Sequence, residues 1–255
     1  MARNPVIFVH GIGASGAVWA KFNVPGINFY YLSFSDRFAH PDDQVQELKL
    51  EIDRVLMLEK KEKVILVCHS MGGLVARKYL ANSPQDHHIE KLILMSTPNL
   101  GSVGLSFNWL PSILIIAGLL GSMWIWPLAL TLIGLVWEVI AYLRGVLLLS
   151  PAAWAMRPNS DFLRDLNSKK MPSGVKYVVI LSEAYDWFHR ILNYVFFREG
   201  GDGAVPLSSQ ELSYQCVPNF YELDYSESQI NLLHFDIPHR VGEFLFPILQ
   251  KHLFE

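Results

Sequence analysis

The chain has 255 residues and a formal net charge of −3, with 21 Lys and Arg scattered along it. That length suits one large domain with a deep core, and nothing in the charge suggests a polyanion partner, so no nucleic-acid footprint is expected. Two cysteines are too few for a disulfide framework, and no Cys/His cluster has metal-ligand spacing; Cys68 and Cys216 read as free buried thiols, with a single bridge between them as the alternative.

The first element in chain order is the run Pro5–His10, which ends in His-Gly. Its apolar part, Val6 to Val9, is too short for a secretory signal and predicts a buried strand. Read from Met1, the chain is therefore expected to stay in the cytoplasm. A glycine-rich loop follows (11–16), then a strand over Asn28–Phe34 and a helix over Asp42–Leu58. Pro41 and Asp42 start that helix, and Val45, Leu48, Ile52, Val55 and Leu56 form its apolar face. Lys63–Cys68 predicts a strand, Met71–Ala81 a helix, Ile89–Ser96 a strand closed by Thr97-Pro98, Val175–Ser182 a fifth strand and Asn219–Tyr225 a sixth. A helix from about Pro238 to His252 closes the chain. The strands are continuous apolar runs that alternate with helices, the pattern of a parallel sheet covered on both faces. The fold class is α/β.

One region departs from this rhythm. From Leu92 to Trp137 there is no Asp, Glu, Lys, Arg or His, and only Glu138 and Arg144 carry charge before Arg157. The stretch Leu110–Trp137 is long enough to span a bilayer, although Pro111 and Pro127 interrupt it. Trp109, Trp124, Trp126 and Trp137 suit an interface where one edge of the ring is wet.

Residues 68–72 read Cys-His-Ser-Met-Gly between a strand and a helix. This is the context of a nucleophile elbow, a sharp strand-to-helix turn that lifts a serine hydroxyl clear of the sheet. It needs small residues two before and two after the serine; Gly72 meets that, and Cys68 stands where glycine is usual. A serine hydroxyl is a weak nucleophile and needs a base, an acid to orient the base, and donors for the oxyanion. Val-His-Gly-Ile-Gly at 9–13 offers one donor, the N–H of Ile12; the N–H of Met71, just after Ser70, is the other. His10 reads as a loop-shaping residue rather than a base.

Val-His-Gly-Ile-Gly, Cys-His-Ser-Met-Gly-Gly-Leu-Val-Ala-Arg and Met-Ser-Thr-Pro-Asn-Leu-Gly-Ser together resemble the serine lipases and esterases of the α/β-hydrolase superfamily, most of all bacterial lipases and GPI inositol-deacylase-like hydrolases. The resemblance implies a mostly parallel sheet of about six strands flanked by helices, with an apolar helical cap inserted at 99–171 into a core formed by 1–98 and 172–255. It also implies the chain order serine, acid, histidine. Gly-Gly-Asp-Gly-Ala-Val-Pro at 200–206 is similar to the family's acid loop and points to Asp202, with Asp186 as the alternative acid. The family position of the base, shortly before the terminal helix, favours His234 over His239.

The expected activity is therefore hydrolysis of carboxylic esters of a lipid-like substrate by Ser70, Asp202 and His234, with no metal or organic cofactor. A single membrane span at 109–149 would place Ser70 and His234 on opposite sides of a bilayer. The apolar segment is thus expected to cross twice or not at all, and to meet a membrane or lipid interface peripherally. The alternatives are a non-catalytic, membrane-associated binding protein on the same scaffold, and a thioesterase or acyltransferase using the same triad. Nothing in the sequence speaks to an oligomeric state.

Overall fold

The computed structural model describes residues 3–20, 26–85, 87–102, 150–234, 236–238 and 246–254. The apolar runs form six strands: β1 (Val6–Val9), β2 (Phe29–Leu32), β3 (Val64–His69), β4 (Ile89–Met95), β5 (Lys176–Ser182) and β6 (Asp224–Ile230). They pair in the order β2-β1-β3-β4-β5-β6, every pair parallel. Alternate side chains point to opposite faces of a strand, and here both faces are covered. Ile7, Val9, Leu66, Cys68, Leu92, Leu94, Tyr177 and Val179 share one core. Val6, Phe8, Ile65, Val67, Ile93, Met95, Val178 and Ile180 share the other. This is why the strands read as unbroken apolar runs.

The first core is closed by α1 (Pro41–Glu59) and α2 (Met71–Asn82), through Leu48, Ile52 and Val55 of α1 and Val75, Ala76, Tyr79 and Leu80 of α2. Pro41 opens α1 where its missing N–H costs nothing, Asp42 and Asp43 face the positive end of the helix dipole, and Lys60 ends it in the left-handed region at φ 50°. The second core is closed by Trp19, Ile27, Ile237 and, from the terminal helix, Leu249 and Leu253. Cys68 and Cys216 are both free and buried in the first core. Small and apolar, Cys68 fills the position two before Ser70 as a core side chain, and burial pushes its thiol well above the ordinary range.

Further short helices follow β4: α3 (Pro151–Ala155), α4 (Asp161–Asn167), α5 (Trp187–Phe197) and α6 (Leu207–Gln210), with α7 (Phe246–Phe254) closing the chain. Ala152, Ala155 and Met156, with Phe162, Leu163 and Leu166 of α4, pack against Met71 and Leu74 of α2, and Ile12 leans on the same cluster. The apolar stretch 109–149 lies outside the described residues. Its flanks meet each other: the Ser102 amide donates to the Met156 carbonyl at 2.9 Å, and a side chain at Gly101, which holds φ +96°, would collide with the Pro158 backbone. Among the described residues, no helix is long and apolar enough to cross a membrane.

One expectation needs correction. The sixth strand is not Asn219–Tyr225: Phe220–Glu222 is a 3-10 turn and β6 begins at Asp224. β6 is an edge strand of mostly polar, half-exposed residues, Asp-Tyr-Ser-Glu-Ser-Gln-Ile, so a search for apolar runs stops at the aromatic pair before it. The closing helix is described over Phe246–Phe254, two residues past His252, and its expected start after Pro238 falls on residues 239–245, outside the described residues. Helix α5 answers to no sequence expectation. Its aromatic and β-branched residues favour a helix only weakly, and its start is fixed by the Asp186 side chain capping the His189 amide.

Candidate active site

Ser70 sits between the last residue of β3 and the first of α2, at φ 54° and ψ −126°. A non-glycine residue adopts such a conformation only where its surroundings enforce it. The Ser70 amide donates to the Met95 carbonyl at 2.9 Å, and the Ser70 carbonyl accepts from Gly73 at 3.0 Å. The helix behind the turn must lie against the sheet. A Cβ at Gly72 would come within 2.7 Å of the His10 carbonyl oxygen, and one at Gly73 within 2.0 Å of Thr97 Oγ1. The two glycines are thus required by close approach.

The Ser70 hydroxyl donates to His234 Nε2 at 2.9 Å, and His234 Nδ1 donates to Asp202 Oδ2 at 2.7 Å. All three residues are buried. His234 comes from the loop after β6, four residues beyond Ile230, and its amide donates to the Asp202 carbonyl at 2.9 Å. Asp202 is shaped by its own turn: its Oδ1 accepts from the amides of Ala204 at 3.0 Å and Val205 at 2.8 Å, leaving Oδ2 for the imidazole. Gly203 makes the turn possible, because it holds φ +95°. Gly201 is required as well, since a side chain there would meet the Val205 carbonyl at 2.6 Å.

The glycine-rich loop after β1 passes close to Ser70. A Cβ at Gly11 would lie 2.9 Å from Ser70 Cβ, so only glycine lets this backbone reach the serine. His10 shapes the loop. Its Nδ1 donates to the Gly11 carbonyl at 2.7 Å and its Nε2 accepts from the Phe34 amide at 3.2 Å. Burial pulls its imidazole below the ordinary value of 6.5, which keeps it neutral and suited to one donor and one acceptor role. Ile12 packs against the apolar cluster that contains Met71, the residue after Ser70.

The alternative acid, Asp186, is engaged elsewhere. Asp186 caps α5: its carboxylate accepts from the amide of His189 and from His189 Nδ1, and the amide bond holds it below its ordinary range. His239 lies outside the described residues. His69 is the residue just before Ser70. The structure packs its ring 4.7 Å from that of His234, tilted by 42°, with Trp19 at its edge. Sequence reasoning passed over Ser182 and Gln210, both fully buried beside the Asp202 turn; no motif marks them. Among the described residues, no group of His, Cys, Asp and Glu is placed to hold a metal ion.

A family model described as "Domain of unknown function (DUF7379)" matches residues 38–193. The chain belongs to this family. It is also similar to the lysosomal thioesterase PPT2-B of Xenopus laevis, 30% identical over an alignment of 118 residues that covers 42% of this chain and 40% of that protein. The chain spans about two fifths of the length of the curated relatives it matches. Among solved structures, the mature form of the Bacillus licheniformis lipase BlEst2 superposes with a TM-score of 0.68 at 19% identity, over 99% of this chain and 92% of that one. Aspergillus fumigatus lipase B superposes at 0.57 with 16% identity, over 89% and 44%. With its all-parallel sheet flanked by helices, the family member described here has the α/β-hydrolase fold.

Proposed function

We propose that this chain is a serine hydrolase that cleaves carboxylic esters of lipid-like substrates. The observation that carries the reading is the continuous hydrogen-bonded line from the Ser70 hydroxyl through His234 to the Asp202 carboxylate, at 2.9 and 2.7 Å, behind a serine of strained conformation. The likeness to proteins named as a thioesterase and lipases supports it.

In this mechanism Ser70 Oγ attacks the ester carbonyl as His234 Nε2 takes its proton, and the carbonyl electrons move onto the oxygen. The N–H groups of Ile12 and Met71 stabilise that oxyanion. Collapse breaks the bond to the alkoxide, which leaves with the proton from His234, and the acyl group stays on Ser70. Water, deprotonated by His234, repeats the sequence and frees the acid. Asp202 holds the imidazole in the tautomer that presents Nε2 to the serine and stabilises the imidazolium.

Residues 99–171 are proposed as a cap on a core of 1–98 and 172–255. The Ser102–Met156 bond and the packing of α3 and α4 beside Met71 support this assignment. The apolar composition of 109–149 favours acyl chains over small polar esters and favours contact with a lipid interface. A series of p-nitrophenyl esters from acetate to dodecanoate tests the reading. We expect kcat/KM to rise with chain length and to vanish in Ser70→Ala. Preference for acetate removes the lipid substrate, and an active Ser70→Ala removes the mechanism. The likeness to a thioesterase favours a second acyl donor, so the series is repeated with thioesters of the same chain lengths; hydrolysis lost in the same variant adds thioesters to the substrate class.

A further inference from the structure

Ser182 ends β5 two residues past Ile180, the last β5 residue that β4 pairs with. Its N–H and C=O therefore face a side where the neighbouring strand has run out. The side chain of Gln210 takes that place. Its Oε1 accepts the Ser182 amide at 2.7 Å, and its Nε2 donates to the Ser182 carbonyl at 2.9 Å, so one side-chain amide stands in for a missing strand residue. The same Nε2 donates to the Val205 carbonyl at 3.0 Å. Val205 in turn is bonded to Asp202 twice, through its amide to Oδ1 and through its carbonyl to the Asp202 amide. On the other side, the Ser182 hydroxyl donates to the Leu232 carbonyl at 2.6 Å, two residues before His234. The loops that carry acid and base thus hang from a single anchor at the end of β5.

We propose that Gln210, together with Ser182, is a positioning residue that sets the Asp202–His234 contact; the proposal rests on the catalytic reading of those two residues. It gives a role to the Thr-Pro-Asn-Leu-Gly-Ser segment after β4. Asn99 Nδ2 from that segment donates to the Gln210 carbonyl at 2.9 Å, and Asn99 Oδ1 accepts from Arg77 on α2 at 2.8 Å. The Ser102 hydroxyl donates to the Ala204 carbonyl within the acid loop. Gln210 uses both ends of its amide, so neither a carboxylate nor an apolar side chain reproduces its bonds.

Among the described residues, His234 faces the titratable Asp202 on the acid loop and His69 of β3, and the hydroxyl of Ser70. Neither Gln210→Leu nor Ser182→Ala alters any of them. The test is the pH profile of p-nitrophenyl butyrate hydrolysis, with kcat expressed per site titrated by a fluorophosphonate. A misplaced acid loop costs roughly 10- to 100-fold in kcat, and this loss is expected in Gln210→Leu with KM little changed. The acid limb of kcat/KM should also move to lower pH, because a carboxylate held less firmly supports the imidazolium less. Ser182→Ala should move both in the same direction by less, and it decides the matter alone if Gln210→Leu does not fold. Wild-type kcat per site with an unmoved acid limb in the folded variants overturns the proposal, leaving a purely structural role. A wild-type chain that the fluorophosphonate cannot titrate overturns the catalytic reading itself, and this proposal with it.

Discussion

Asp202 holds His234 at two points: its carbonyl accepts the His234 amide at 2.9 Å, and its Oδ2 accepts Nδ1 at 2.7 Å. The first bond fixes where the loop after β6 sits and the second fixes the ring upon it. Asp202→Asn should separate these contributions, because the backbone bond survives the change. The new amide presents an N–H toward His234 Nδ1, favouring the tautomer that turns a second N–H toward Ser70. We expect a folded protein with kcat lowered roughly 10⁴-fold, read with p-nitrophenyl butyrate. A variant of near wild-type kcat would mean that the carboxylate does not serve the imidazole.

The elbow makes a prediction about stability. At Gly73 an added Cβ would lie 2.0 Å from Thr97 Oγ1 and 2.9 Å from Leu94 Cδ2, whereas at Gly174 nothing lies within 4 Å. Overpacking a filled site costs about 1–3 kcal/mol, and each kcal/mol lowers Tm by about 2–4 °C in a chain of this size. Gly73→Ala should melt several degrees below wild type and Gly174→Ala should not. Equal melting temperatures for the two variants would contradict the packing described for α2 against β4.

His10 gives a pH dependence whose sign is fixed. Burial lowers its folded value below 6.5, so the unfolded chain binds this proton more readily than the folded one. Stability from this residue is full above 6.5 and declines as pH falls from there toward the folded value. Thermal melts between pH 7.5 and 5 should show Tm falling with acidity, and His10→Gln should flatten part of that slope. A His10→Gln slope as steep as wild type would remove His10 as its source.

How much of this was legible in the sequence depends on how local the signal is. Strands β1, β3, β4 and β5 are buried on both faces, so their residues could hardly be other than apolar, and their limits fall within about two residues of expectation. The elbow is readable because its demands fall on neighbouring positions, Ser70, Gly72 and Gly73. Asp202 and His234 were identified through resemblance and chain order; the turn that frees Asp202 Oδ2 could be guessed from the flanking glycines, but not its aim. β6 was misplaced because an edge strand needs few apolar residues. Gln210 was invisible because a glutamine signals nothing until the end of β5, the acid loop and the Asn99 segment are folded around it.

The most direct test of the central claim is mass spectrometry of the chain after treatment with a fluorophosphonate probe. A nucleophilic Ser70 takes one covalent phosphonate adduct, absent from Ser70→Ala. No adduct on the folded native chain, or the same labelling of Ser70→Ala, would contradict it.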